Sequence, residues 1–293
     1  MSSLVDQVDH LFAQHRWIGQ SRKAWRDDHP GFGRMAPGTF SWASEKRYKH
    51  AAIQGVTWIN EHDHIREIAQ ITPDMIEAYI AARRAAGLSP NTVATDLTAL
   101  RRLGQYAVME GWLAASFVPA DLRVPREHNP RYSYAPTAAA AIIEQVAGRN
   151  PLAGLVLTWQ NRIGLRIDEA VMLRRDKIDV DQLTVEVKGK GGKTRVVPIP
   201  DRAMLDQLPQ PGRLNPLLRG RRDNWIRLIE GLVAEACQAL AIDSLGTHGF
   251  RAAYAQRTFD DLLAQGKSDR AARKVLAKRL GHNRISVTND YAP

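Results

Sequence analysis

The sequence holds a single cysteine, Cys237, in 293 residues. That excludes an internal disulfide and a cysteine-based zinc cluster. Cys237 lies in Val233-Ala234-Glu235-Ala236-Cys237-Gln238-Ala239-Leu240, a helical pattern in which it reads as a small buried apolar residue. No apolar run approaches the roughly 18 residues of a membrane helix. The opening Met1-Ser2-Ser3-Leu4-Val5-Asp6 has neither a basic start nor an apolar signal core, so the expected location is the cytoplasm, with no membrane partner. His62 and His64 form a His-Asp-His, but further zinc ligands at suitable spacing are lacking. Gly189-Lys190-Gly191-Gly192-Lys193-Thr194-Arg195 lacks the Gly-x-x-x-x-Gly-Lys-Ser/Thr spacing of a nucleotide-binding loop and sits between strands rather than before a helix. No metal and no cofactor are expected, and no internal repeat is evident.

Positive charge is what the chain has in excess. Lys and Arg number 41 against 31 Asp and Glu, for a net charge of +10. A polyanionic partner is implied, and nucleic acid is the commonest one. The excess is uneven: residues 1–133 carry +2 and residues 134–293 carry +8. The C-terminal part is therefore expected to make the stronger phosphate contacts.

Periodicity predicts a mostly helical chain with one small β-sheet. Residues 4–12 place Leu4, Val5, Val8, Leu11 and Phe12 on one helical face. Ser21 to Gly38, with Arg22, Lys23, Arg26 and Arg34, reads as a loop or basic arm. Residues 43–60 form an amphipathic helix. Thr72-Pro73 and Ser89-Pro90 each combine a capping hydroxyl with proline at the first helical position, and the helices they open stop at Gly87 and Gly111. Residues 121–135 are rich in proline and arginine and read as a linker. The expected organisation is 1–40, an N-terminal helix and basic arm; 41–120, a helical bundle; 121–135, the linker; and 136–293, a mixed α/β domain. In the last, helical pattern is expected to continue through 167–178. Two strands follow, at Leu183–Val187 and Thr194–Ile199, joined by a turn.

Five segments in the last 130 residues carry chemistry. Arg166 lies in Gly164-Leu165-Arg166-Ile167-Asp168-Glu169, Lys190 in the turn, His248 and Arg251 in His248-Gly249-Phe250-Arg251, and His282 in Leu280-Gly281-His282. Tyr291 follows nine residues later. Planar guanidinium forks match phosphate oxygens. Lysine and histidine move protons, and His248 titrates near neutrality. A tyrosine flanked by arginines gains a stabilised phenolate and can attack phosphorus. Asp168 and Glu169 suit orientation of the helix start or of nearby arginines better than chemistry. Tyr254, three residues from Arg251, competes with Tyr291 but reads as packed on its helix.

This order and wording resemble the tyrosine recombinase (phage integrase) family, including its Xer-like members, from about Ser41 to Pro293. Ile71-Thr72-Pro73 and Gly87-Leu88-Ser89-Pro90-Asn91-Thr92-Val93 resemble the family's core-binding domain, a SAM-like bundle. The resemblance implies a C-shaped clamp on double-stranded DNA and a 3′-phosphotyrosine at Tyr291, with Arg166 and Arg251 on the phosphate. It further implies Lys190 as general acid, with Lys193 the second candidate, His248 as proton acceptor, and His282 as a phosphate-positioning group. Lys193 and Arg195 of the turn, Arg123, Arg126 and Arg131 of the linker, and Arg101 and Arg102 of the bundle are expected to touch DNA. Four protomers on two sites are implied; accessory proteins are not specified. Ala252 stands where the family often has histidine, and only Ala292 and Pro293 follow Tyr291, where many relatives carry a docking helix. A relaxing topoisomerase of related chemistry and a catalytically silent DNA-binding regulator remain alternatives at this level.

A clamp that touches about eight phosphates gives a log–log slope of DNA affinity against salt near −7. Filter-binding titrations across salt concentrations measure it, and a slope shallower than about −2 contradicts the clamp.

Overall fold

The computed structural model describes residues 2–29, 38–127, 132–189, 192, 194–208, 220–282 and 284–291. The chain divides into two compact units, Met1–His128 and Asn129–Pro293.

The first unit is helical: α1 Leu4–Gln14, α2 Arg22–Asp28, α3 Trp42–Asp63, α4 Pro73–Ala85 and α5 Pro90–Met109. Side chains start these helices by accepting from backbone N–H groups that no helical partner satisfies. Ser41 accepts from Ser44, Thr72 from Met75 and Ser89 from Thr92. Pro73 and Pro90 occupy first turns, where a missing N–H costs nothing. One core joins Val8, Leu11 and Phe12 of α1 to Val56 and Ile59 of α3, Ile76 and Ile80 of α4, and Leu97, Leu100 and Leu103 of α5. Thus α1 is an integral part of the bundle: an 11-residue amphipathic helix needs a neighbour to bury its stripe. The stretch after Ser21, expected as loop, is helical from Arg22 to Asp28, with Ser21 capping Ala24. Its Trp25 stacks on Trp17 and on His29, contacts between aromatic rings that composition alone does not reveal. Arg34 lies outside the described residues.

The second unit contains α6 Pro136–Arg149, α7 Pro151–Ile163, α8 Ile167–Val171, β1 Ile178–Asp179, β2 Thr184–Lys188, β3 Thr194–Pro198, α9 Ala203–Asp206, α10 Arg222–Ala239, α11 His248–Ala264 and α12 Asp269–Leu280. A 3₁₀ turn, Ile285–Asp290, follows α12. α6 and α7 approach so closely that a Cβ on Gly154 would lie 2.5 Å from that of Ala147. The expected continuous helix over 167–178 is not there. α8 ends at Val171, and β1 pairs antiparallel with β2 (Ile178↔Val185), which makes the sheet three-stranded, β1-β2-β3. The Asp179 carboxylate accepts from the N–H groups of Asp181 and Gln182 and turns the chain between the strands. Val185, Val187 and Val197 point from the sheet into a core shared with Leu157 and Trp159 of α7 and Val233 of α10. Cys237 is buried in it, as its pattern implied. No helix among the described residues is long and apolar enough to cross a membrane.

Because Phe12 is fully buried and sits edge-on to Tyr106 at 5.3 Å, Phe12→Ala should destabilise the bundle by about 3–5 kcal/mol. Urea unfolding measures this, and a loss under about 1 kcal/mol would place α1 outside the cooperative core.

Candidate active site

The site assembles where α7, α8, α11 and α12 meet. α7 ends at Gly164 in the left-handed conformation (φ +70°). Glycine is required twice over here. The backbone angle disfavours any side chain, and a Cβ would collide with the Tyr254 ring at 2.2 Å. Tyr254 is therefore a buried packing residue beneath the turn. Two residues on, Arg166 caps α8, and its backbone N–H and its guanidinium both donate to Glu169, at 2.8 and 2.9 Å.

Arg251, one turn into α11, is wholly buried. It donates to the Gly164 carbonyl and to the Leu280 carbonyl (2.7 Å), and lies 3.3 Å from Nε2 of His282. Tyr291 lies near enough to favour the charge of this guanidinium. One side chain thus gathers segments 87 and 31 residues away. His282 follows Gly281, which ends α12 in the left-handed conformation, and its ring stands 5.6 Å from that of Tyr291. Tyr291 is 3% exposed and packs with Ala255, Phe259, Leu276 and Leu280 in a cluster of its own beside the larger core. His248, the first residue of α11, is exposed.

The structure therefore brings Arg166, Arg251, His282 and Tyr291 together, and His248 opens α11 one turn before Arg251. Lys190 and Lys193 of the hairpin tip, and Arg131 of the linker, lie outside the described residues. Most of the other arginines expected on DNA are engaged within the protein. Arg195 holds Glu169 through both oxygens at 2.8 Å. Arg102 donates to the Gly38 carbonyl and lies over the Tyr48 ring, while Arg101 donates to the Leu122 carbonyl. Arg123 donates to the carbonyls of Ala120 and Leu122 from an exposed position, and Arg126 is exposed. Among the described residues no group of three or more His, Cys, Asp or Glu is placed to hold a metal ion.

The description "Phage integrase, N-terminal SAM-like domain" matches residues 44–111. The tyrosine recombinase XerC of Mesorhizobium japonicum is 31% identical over 248 residues, 78% of this chain and 76% of the relative. XerD of Mycobacterium tuberculosis is 30% identical over 84% of this chain and 83% of its own length. The chain belongs to the tyrosine recombinase family. As a tyrosine recombinase it is an enzyme of site-specific recombination. The recombinase fold is shared with XerH bound to difH substrate in a pre-cleavage complex (TM-score 0.67, 15% identity, covering 98% of this chain and 92% of that one). It is shared too with a lambda integrase dimer bound to a COC′ core site (TM-score 0.64, 15% identity, 94% and 77%).

The recombinase site is electrostatically unusual in what it buries. Burial first, and then the nearby charge of Arg166, lower the Arg251 guanidinium against the opposing pull of Tyr291 and Glu169, and together they leave it at about 10. It stays cationic at neutral pH. Burial would by itself raise the Glu169 carboxyl, but hydrogen bonds and charge from Arg195, the Arg166 N–H and the charge of Arg251 outweigh it and hold the group at about 2.

A carboxyl at about 2 in the fold and 4.5 when unfolded stabilises the fold fully above pH 4.5, and this contribution is lost as pH falls toward 2. It is on the order of 3 kcal/mol. Glu169→Gln should lower stability at neutral pH and flatten the dependence of Tm on pH between 4.5 and 2. An acid limb as steep as in the unaltered protein would show that Glu169 is not the titrating group.

Proposed function

We propose that this recombinase cleaves and rejoins double-stranded DNA through a 3′-phosphotyrosine on Tyr291. The observation that carries the reading is the convergence of Arg251, His282 and Tyr291 beside Arg166. A phosphodiester needs two things to be attacked: a nucleophile within reach and cationic donors already in place where charge develops. Oη of Tyr291 attacks phosphorus, the P–O5′ bond breaks, and the pentavalent phosphate is neutralised by Arg166 and Arg251. His248 accepts the phenol proton, Lys190 gives a proton to the departing 5′-oxygen, and His282 orients the phosphate. Rejoining is the same path in reverse. The phosphotyrosine keeps the energy of the broken bond, so rejoining consumes no ATP. Both units contact the duplex, and four protomers on two sites exchange strands through a Holliday junction. Family membership supports this assembly.

A nicked suicide duplex carrying the sequence that the protein selects from a randomised pool tests the reading. The unaltered protein should form a covalent adduct. Tyr291→Phe, which removes only the hydroxyl, should keep binding and lose the adduct entirely. An adduct that persists in Tyr291→Phe and vanishes in Tyr254→Phe would move the nucleophile to Tyr254.

The same substrate tests the acid. Lys190→Ala should slow cleavage by about 10²–10⁴, the usual contribution of general acid catalysis. A bridging 5′-sulfur, whose thiolate leaves unprotonated, should restore most of that rate for Lys190→Ala and none of it for Arg166→Ala. Rescue of Lys193→Ala in place of Lys190→Ala would assign the acid to Lys193.

A further inference from the structure

Arg195 follows the hairpin tip, where a DNA contact was expected. Its guanidinium is turned inward instead. On β3 it stands two residues from the buried Val197 and shares the inner face of the sheet with it, and its side chain is only 10% exposed. Nη1 and Nη2 donate to the two oxygens of Glu169, each at 2.8 Å, and Nε donates to the Arg279 carbonyl at 2.9 Å. Gly281 gives the arginine room: a Cβ there would stand 3.1 Å from the Arg195 side chain.

These contacts join three segments that the sequence keeps apart: the hairpin strand, the start of α8 and the last turn of α12. Arg251 ties the turn just before α8 to the same end of α12, through the carbonyls of Gly164 and Leu280. Arg195 and Arg251 are thus parallel cross-links between the turn that bears Arg166 and the turn that bears His282. Charge adds a second effect. Glu169 is shared by Arg166, Arg195 and Arg251. With three guanidinium groups against one carboxylate, the site keeps surplus positive charge for a phosphate. Without Arg195 the carboxylate falls wholly to Arg166 and Arg251, the two groups assigned to the substrate. A carboxylate this close, in a site of low effective dielectric, competes directly with a phosphate for them.

We propose that Arg195 is a positioning residue of the cleavage reaction: it occupies Glu169 and fixes the end of α12, so that Arg166, Arg251 and His282 stand ready for phosphate, and it makes no contact with DNA itself. The proposal rests on the recombinase reading above.

The experiment separates positioning from DNA contact. Salt dependence of binding to a random-sequence duplex and single-turnover adduct formation on the selected nicked duplex are measured for Arg195→Gln, Arg195→Lys, Glu169→Gln and the Arg195→Gln/Glu169→Gln pair. Arg195→Gln should leave the salt slope unchanged and slow adduct formation by about 10², the scale of a small misplacement of reacting groups. Arg195→Lys restores the charge without the planar fork and should recover part of the rate. The double variant should be no slower than the slower single one, because both act through one carboxylate. If Arg195→Gln does not fold, judged by its unfolding transition, Arg195→Lys carries the comparison, with a reduced rate expected at unchanged slope. A slope reduced by about one unit, with the rate recovering at saturating DNA, would make Arg195 a phosphate contact and overturn the proposal. Losses that multiply in the double variant would overturn it as well, since the two residues would then act separately. Failure of the unaltered protein to form any adduct overturns the recombinase reading; full-speed cleavage by Arg195→Gln beside an active unaltered protein overturns the Arg195 proposal alone.

Discussion

One carboxylate makes the site possible. Burying a guanidinium is costly unless it is paired and its donors are satisfied, and here Arg251 is wholly buried while Arg195 and Arg166 are mostly so. Glu169 meets all three. It neutralises only one charge among them, so the remainder is held in place by rigid backbone acceptors and stays available to an anion. A second carboxylate would make the cluster more comfortable and less able to bind phosphate. The same balance accounts for the low carboxyl value of Glu169: a group that three cations need must itself stay ionised.

Much of this was legible in the sequence, for reasons that can be named. Helix starts at Thr72 and Ser89 announced themselves through a hydroxyl followed by proline, because capping is a local interaction. Glu169 could be read as an orienting group because it stands three residues from Arg166, within one helical turn. The family wording marked Arg166, Arg251, His282 and Tyr291, which the fold brings together. Other elements depend on contacts that a linear pattern does not display. β1 is two residues long and exists only through its pairing with β2. The Trp17–Trp25–His29 stack makes α2 a helix where composition suggests a loop. Arg195 stands next to the hairpin tip, and the alternation of β3 places it with Val197 on the inner face, bonded to Glu169.

The bundle shows the same tension in milder form. Arg101 and Arg102 carry charge that reads as DNA-directed, yet each donates to a backbone carbonyl, and Arg102 lies over an aromatic ring. The Arg83–Asp96 pair is half hidden in the same way, with its carboxylate nearly buried. A positive count along a sequence therefore overstates the cations free to meet phosphate, since guanidinium groups also serve as cross-braces between helices.

The acceptors that hold Arg195 and Arg251 from the far side are main-chain oxygens: Gly164 at the end of α7, and Arg279 and Leu280 at the end of α12. Helix C-termini leave such carbonyls without intrahelical partners and carry partial negative charge. A point mutation can delete a side chain but not a carbonyl. On that side the arginine network is mutationally robust, and sequence drift at Arg279 or Leu280 leaves its anchors chemically intact. The vulnerability moves to shape. Whatever shifts where α7 or α12 stops, above all replacement of the left-handed Gly164 or Gly281, unseats the arginines without touching a single polar side chain.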